Sequence, residues 1–283
     1  MSRFTRLTPW AALLPFLGFL LVFLVVPTVT VIVGAFQGAG GFTLDNISGL
    51  FTDAALTVLW RSVVLSAVSA VVGAVFGAFL AYLIVGRPPT NLFRRVVTAI
   101  SGVLAQFGGV PLAFAFIATL GFSGVLTEAV RSAFGIDIFG SGWLFALPGL
   151  ILVYSYFQIP LMVIVFVPAL EGLRDQWREA AVSLGASTWR YWREVAVPLL
   201  TPAFLGSALL LFANAFAAYA TAAALVSQGS PIVPLLIRSA LTSEVVLGQS
   251  GFAYALALEM IVVVAVVMVA YSAMVRRTAR WLR

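Results

Sequence analysis

The sequence predicts an all-α integral membrane protein with six transmembrane helices, and three observations carry that expectation. Of 283 residues, 62% are hydrophobic and only 9% are charged, with a mean hydropathy of +1.10. That is not the balance of a soluble domain. The apolar residues gather into six runs, Trp10–Phe36, Ser62–Val85, Val96–Leu120, Trp143–Leu170, Val195–Val226 and Phe252–Val275. Each has at least the roughly 20 residues that cross a bilayer as a helix. None alternates apolar with polar residues, as the strands of a membrane barrel do.

The first run is too long for the apolar core of a cleaved signal and lacks a small-residue exit, so it reads as a retained span. The second carries no acid. The third holds Gln106, the fourth Tyr154, Tyr156 and Gln158, and the fifth Asn214 and Tyr219. The sixth holds Tyr254 and Glu259, the only acid within a span. Pro160, Pro168, Pro198 and Pro202 fall near span ends, where they suit gating but also occur in passive helices. The connecting loops are short, no repeat or low-complexity linker is evident, and residues 1–283 read as a single transmembrane domain.

Charge placement orients the chain. All sixteen basic residues are arginine. Thirteen fall on one side: Arg3, Arg6, Arg87, Arg94, Arg95, Arg174, Arg178, Arg190, Arg193, Arg276, Arg277, Arg280 and Arg283. Only Arg61, Arg131 and Arg238 fall on the other. The excess marks the cytoplasmic face and places both termini there. Split among four juxtamembrane sites, the arginines form no nucleic-acid patch.

The chain has no Cys, His or Lys. Zinc sites of the Cys/His type, Ser-His-Asp and Cys-His nucleophiles, and the lysine of a Walker A loop are all excluded. No carboxylate cluster inside the spans suggests a metal. An enzyme working alone is not expected.

One segment, about 171–194, departs from the apolar background. It holds Arg174, Arg178, Arg190 and Arg193 beside Glu171, Asp175, Glu179 and Glu194, between the fourth and fifth runs. Leu173, Trp177, Ala180, Ala181 and Leu184 recur at helical spacing. Gly185 suits a helix C-terminus, and Ser187 or Thr188 suits the cap of a second helix carrying Trp189, Tyr191 and Trp192 toward Pro198. Two readings stand on physics alone. The hairpin lies in the interface with its aromatic residues at headgroup level, or it presents a helix to the groove of a cytoplasmic partner.

The spacing Glu179-Ala180-Ala181, three residues, Gly185, nine residues, Val195-Ala196-Val197-Pro198 resembles the EAA loop of ATP-binding cassette (ABC) importer permeases. That pattern reads E-A-A, three residues, G, nine residues, I-x-L-P. The departures are Val195 for Ile and Val197 for Leu. Six spans and the loop's position before the fifth also resemble the type I importer permease fold, from the second span onward.

The resemblance implies a multi-pass protein of the bacterial cytoplasmic membrane forming half of a substrate pore. It implies two cytoplasmic ABC ATPase subunits, a second permease subunit that is not identical to this chain, and an extracytoplasmic substrate-binding protein. ATP and Mg would belong to the partner ATPase, with no cofactor bound by this chain. Glu179, Ala180, Ala181, Gly185 and Pro198 would make up the coupling site. The small alanines would let the helix seat closely, Glu179 would fix the loop by capping a neighbouring helix or pairing with arginine, and Gly185 would make the turn.

Polar groups inside the spans mark candidate pathways. Glu259, Asn214, Tyr219, Tyr254 and Gln158 are the candidates. The alternatives are that Glu259 pairs with a neighbouring subunit or with Arg238, and that Asn214 and Gln158 only bind helices together. The segment "ANAFAAYATAAALVSQGSPIVPLLIRSALTSE" is similar to permeases for polyamines, opines and phosphonates, and more distantly to those for ferric iron or thiamine, with sugar permeases less similar. It implies a polyamine or related small organic solute. The competing functions are a secondary transporter or channel without an ATPase, which needs an ion relay in the spans, a membrane scaffold using the same docking loop, and an ABC permease for another solute.

Overall fold

The structure is a computed structural model and describes residues 9–38, 40–140, 142–226, 232–242 and 250–279. Arg3, Arg6, Arg280 and Arg283 of the expected charge pattern lie outside the described residues. Helix α1 (Pro9–Leu20) runs through a π-helical turn, Leu21–Val25, into α2 (Val26–Ala35). A short hairpin, β1 (Gln37–Gly38) with β2 (Gly41–Phe42), precedes α3 (Asp45–Ser48) and the long α4 (Asp53–Val85). Next come α5 (Leu92–Gln106), α6 (Gly109–Leu120), α7 (Val125–Phe134), α8 (Leu147–Glu171) and α9 (Asp175–Ser183). Helix α10 (Thr188–Tyr191) passes through a second π-helical turn, Trp192–Ala196, into α11 (Val197–Ala217). The chain continues with α12 (Ala220–Leu225), α13 (Val233–Thr242) and α14 (Ser250–Ala279).

Among the described residues six helical stretches are long and apolar enough to cross a membrane: Leu13–Ala35, Asp53–Val85, Gly109–Phe134, Leu147–Glu171, Thr188–Ala217 and Ser250–Arg276. Two expected runs are interrupted. The third, Val96–Leu120, breaks at Phe107–Gly108, where Phe107 leaves helical geometry at ψ 73° and Gly108 is extended, before Gly109 opens α6 at a left-handed φ of 71°. The membrane-length stretch instead runs from Gly109 through α7. The fifth, Val195–Val226, breaks at Ala218, whose extended backbone separates α11 from α12.

The described residues fall into two compact units. The first draws on Met1–Thr57 and Leu236–Val262. No residue between Leu13 and Val33 is buried among the described residues, so this apolar helix is left open to its surroundings on every side. Pro27 cannot donate to the preceding turn, and the widened turn ahead of it absorbs the mismatch. Asn46 Nδ2 donates to the carbonyls of Ala35 and Gln37 at 3.2 and 2.9 Å, tying α3 to the end of α2. Gly34 lies flat against the Tyr254 ring, where a Cβ has no room.

The second unit draws on Val58–Leu235 and Val263–Arg283. Its centre is the packing of α4 on α8. Gly73 and Gly77, one turn apart, bring the α4 backbone against Gln158, Ile159 and Met162, the small-xxx-small contact of membrane helices. Around this seam Leu65, Leu112, Leu150, Tyr154, Leu225 and Ile232 form a buried core. Asn91 caps α5, its Oδ1 accepting from Phe93 N at 3.0 Å. Ser62 Oγ accepts the N–H of Val233 at 2.8 Å and so anchors the start of α13.

Candidate functional site

The charged hairpin takes its shape from its caps. Helix α9 ends in a Schellman motif, in which Ala186 N–H donates to Ala181 O and Gly185 N–H to Val182 O, both at 2.9 Å. Gly185 sits at φ 79°, in open space but in a backbone region that side chains rarely adopt. Ser187, not Thr188, caps the next helix, its Oγ accepting from Arg190 N at 3.3 Å. Arg190 pairs with Glu194 one turn on, at 3.1 Å. At the hairpin's base the last residue of α8, Glu171, is ion-paired with Arg94 in the first turn of α5.

No residue of α9 is buried. Leu184 is 87% exposed and Trp189 74%, and Val182 is also open. The expected apolar face is therefore largely uncovered within this chain, with only Leu173 and Ala181 half-buried. Glu179 and Ala180 are exposed, and Glu179 forms no ion pair and no side-chain hydrogen bond among the described residues. The capping or arginine contact expected of it is not made among the described residues. Pro198 lies at the second position of α11, where its missing N–H is tolerated, directly after the π-helical turn.

The two interrupted spans meet. Gly109, at the start of α6, donates its N–H to Thr221 Oγ1 in α12 at 2.8 Å. Tyr154, fully buried on α8, donates its hydroxyl to Ala218 O at 2.6 Å, satisfying a carbonyl freed by the break. Beside these breaks lies a cavity of about 230 Å³ lined by Gln106, Gly108, Gly109, Asn214, Tyr219 and Thr221, among others. Asn214 and Tyr219 therefore come together, with Gln106. Gln158 does not join them. It is fully buried, its Nε2 donating to Leu211 O at 2.6 Å, so it binds α8 to α11. The Gly108-Gly109 pair and Thr221 escaped the sequence reading, although a glycine doublet inside an apolar run was a visible interruption signal.

Glu259 and Tyr254 belong to the first unit. Glu259 is half-buried, and its Oε2 is shielded from solvent without a hydrogen-bond partner. The expected Arg238 partner is exposed and forms no ion pair among the described residues. Among the described residues no cluster of acids is placed to hold a metal.

Comparison with known proteins locates this architecture. Residues 73–280 match the family described as "Binding-protein-dependent transport system inner membrane component". The chain is similar to a putative ferric transport system permease protein, FbpB 1, of Haemophilus influenzae, 25% identical over 209 residues that cover 73% of this chain and 32% of the relative. It is also similar to the sulfate transport system permease protein CysW of Escherichia coli K12, 29% identical over 205 residues covering 68% of this chain and 62% of the relative. The matched part thus spans from a third to somewhat under two thirds of these relatives.

A solved bacterial ABC transporter involved in import of the acidic polysaccharide alginate shares the fold, with a TM-score of 0.74 at 18% identity over 95% of this chain and 94% of that one. None of these proteins is named for a polyamine, so the polyamine expectation gains no support from them. The family model takes in 208 of the 283 residues, from the glycine seam of α4 through the hairpin to the last described turn of α14, and the chain belongs to the binding-protein-dependent transport system inner membrane components, the non-catalytic permeases of ABC importers.

Proposed function

We propose that this chain forms half of the pore of an ATP-driven importer and receives the force of ATP binding through the α9 hairpin. The observation that carries this is the hairpin itself. A rigidly capped helix with no buried residue stands between two spans, with apolar Val182, Leu184 and Trp189 uncovered. Exposed apolar surface on a charged element outside the spans marks a partner site. Its partners are two ATPase subunits that carry ATP and Mg, a second, non-identical permease subunit, and a binding protein on the opposite side. Both termini and the hairpin are cytoplasmic in this reading, which rests on the arginine distribution.

For cargo, we propose a small inorganic ion in place of the polyamine that the fifth-span segment suggested. Relatives are named for ferric iron, sulfate and molybdenum. The cavity at the two breaks is lined by the amides of Gln106 and Asn214, the hydroxyls of Tyr219 and Thr221, backbone, and apolar Phe157 and alanines, with no carboxylate to receive a polycation. Asn214, Tyr219 and Gln106 would touch the passing solute there.

The test is reconstitution with a cognate ABC ATPase and substrate-binding protein. Wild-type vesicles should show ATPase activity stimulated by the loaded binding protein. Gly185→Arg and Glu179→Lys should lose that stimulation and uptake while the permease remains in the membrane. Full stimulation in both variants overturns the coupling role. A binding protein that takes up a polyamine or a sugar, and no inorganic ion, overturns the cargo. Reporter fusions after Thr90 and Gln176 should read cytoplasmic and those after Asp45 and Asp137 external. The fusion site at Ser243, also expected external, lies outside the described residues.

A further inference from the structure

Behind the α9 hairpin, on the side facing the spans, lies a cleft of about 280 Å³. Arg174 and Arg178, one helical turn apart, line it together with Asp175, Thr188, Tyr82 and Trp192. Arg174 stacks over the Trp177 ring at 5.9 Å, and neither it nor Arg178 forms an ion pair among the described residues. Asp175 is likewise unpaired, so the cleft keeps one net positive charge from its three charged side chains. Tyr82 and Trp192 meet edge to face at 5.2 Å, the pair of residue types that settles at headgroup depth.

Helix α4 leads from this cleft into the bilayer. Tyr82 and Val71 are eleven residues apart, which on an α-helix is about 16 Å of rise and about 20° of rotation. They therefore share one face, and Val75 and Phe79 between them are exposed. At Val71 the strip reaches a second cavity, an apolar groove of about 310 Å³ that also involves Leu209, Phe212 and Tyr271. The Tyr271 hydroxyl is already committed to Pro202 O at 2.9 Å. The groove thus offers almost wholly apolar surface. The distance from cleft to groove is about half of the roughly 30 Å hydrocarbon core, the depth that one leaflet's acyl chains occupy.

We propose that the cleft and the groove together hold one anionic phospholipid of the cytoplasmic leaflet, its phosphate between Arg174 and Arg178 and an acyl chain along Val75 and Phe79. Unpaired basic side chains between spans at the cytoplasmic face are the usual form of such a headgroup site. The apolar strip and groove distinguish a lipid from a free phosphate, which has no use for either. The side assignment rests on the orientation proposed above, but the binding geometry does not. The lipid would sit between the hairpin and the spans, where its presence bears on how motion passes from one to the other.

The test uses the permease assembled with its ATPase in nanodiscs of mixed lipid, with spin-labelled phosphatidylglycerol and phosphatidylcholine as probes. Phosphatidylglycerol should be preferred about fivefold for each arginine engaged at low salt. The Arg174→Gln/Arg178→Gln double variant should lose the preference, and Arg193→Gln, which does not line the cleft, should keep it. Phosphatidylglycerol with a photoreactive acyl chain should label the peptide holding Val71, Val75 and Phe79 in the wild type.

Equal retention of both lipids, or a preference that survives the double variant, overturns the proposal. So does label absent from α4, preference seen only when the ATPase is removed, or full displacement by inorganic phosphate at constant ionic strength. Because binding is read without turnover, a negative result here is separable from failure of the importer assignment, which the stimulated ATPase assay reads on the same preparation.

Discussion

The N–H of Gly109 reaches Thr221 Oγ1 across 2.8 Å, joining residues 112 positions apart at the first turns of two different helices. Each helix begins where a span has broken, and breaks in a membrane need internal partners for the backbone groups they release. Thr221 is buried and supplies one such partner; Tyr154 supplies the other through Ala218 O.

Thr221→Val keeps the side-chain shape and removes the acceptor. Leaving the Gly109 N–H without its partner costs about 1–3 kcal/mol. The expected result is a lower unfolding temperature of the purified complex and slower uptake, with Thr221→Ser close to wild type. Equal melting of Val and Thr proteins contradicts the assignment.

Gly77→Leu should damage the α4–α8 seam. Any Cβ there runs into the backbone carbonyl of Ile159 and the Met162 side chain, and overpacking of this kind costs about 1–3 kcal/mol. Gly102→Ala is the comparison, since nothing lies in the way of its Cβ within α5. It should be neutral or gain up to about 1 kcal/mol from helix propensity. Thermal unfolding of both variants in one detergent checks the contrast.

Glu259→Gln should leave stability unchanged or raise it. A carboxylate oxygen shielded from solvent without a partner is a cost, and the amide removes the charge while keeping the shape. Arg238→Gln should likewise leave the melting temperature alone. A drop of several degrees in both variants, and no further drop in the double variant, indicates that the two residues are coupled.

Asp137 gives the loop after α7 an acid limit. The N–H of Gly140 lowers its pKa below the ordinary 3.8, with further help from the Arg131 side chain and the N–H of Phe139. A lowered folded-state pKa means the contribution is fully present above the ordinary value and fades as pH falls below it. Proteolysis or hydrogen exchange of residues 135–142 should therefore accelerate below about pH 4 in wild type. Asp137→Asn should be faster throughout and lose that pH dependence.

The six spans were legible because hydropathy is a sum over many residues and needs no tertiary information. The hairpin was legible for the opposite reason. Gly185 and Ser187 act locally, and their caps follow from residue type and spacing. The break at Phe107–Gly108 was hidden because an averaging window sees only apolar neighbours, whereas the chain departs from the helix over three residues, Phe107 to Gly109. The fate of Gln158 was open because its partner, Leu211 O, is a backbone atom in another helix. The polyamine expectation, drawn from the segment around Tyr219, gains no support from the relatives, which are named for ferric iron, sulfate and molybdenum; residues 227–231 of that segment lie outside the described residues.

The π-helical turns before Pro27 and Pro198 also act on azimuth. Each holds one residue more than an α-helical turn would, and one residue is about 100° of rotation on a helix. In the stretch Thr188–Ala217 that offset lies between the capped start of the second hairpin helix and the face of α11 on which Leu211 and Ala215 are buried. The hairpin and α11 are thus clocked against each other by Trp192–Ala196. Deletion of Trp192, Arg193 or Glu194 would keep every motif residue and shorten the Thr188–Ala217 stretch by only one residue, while turning the hairpin away from whatever it must meet.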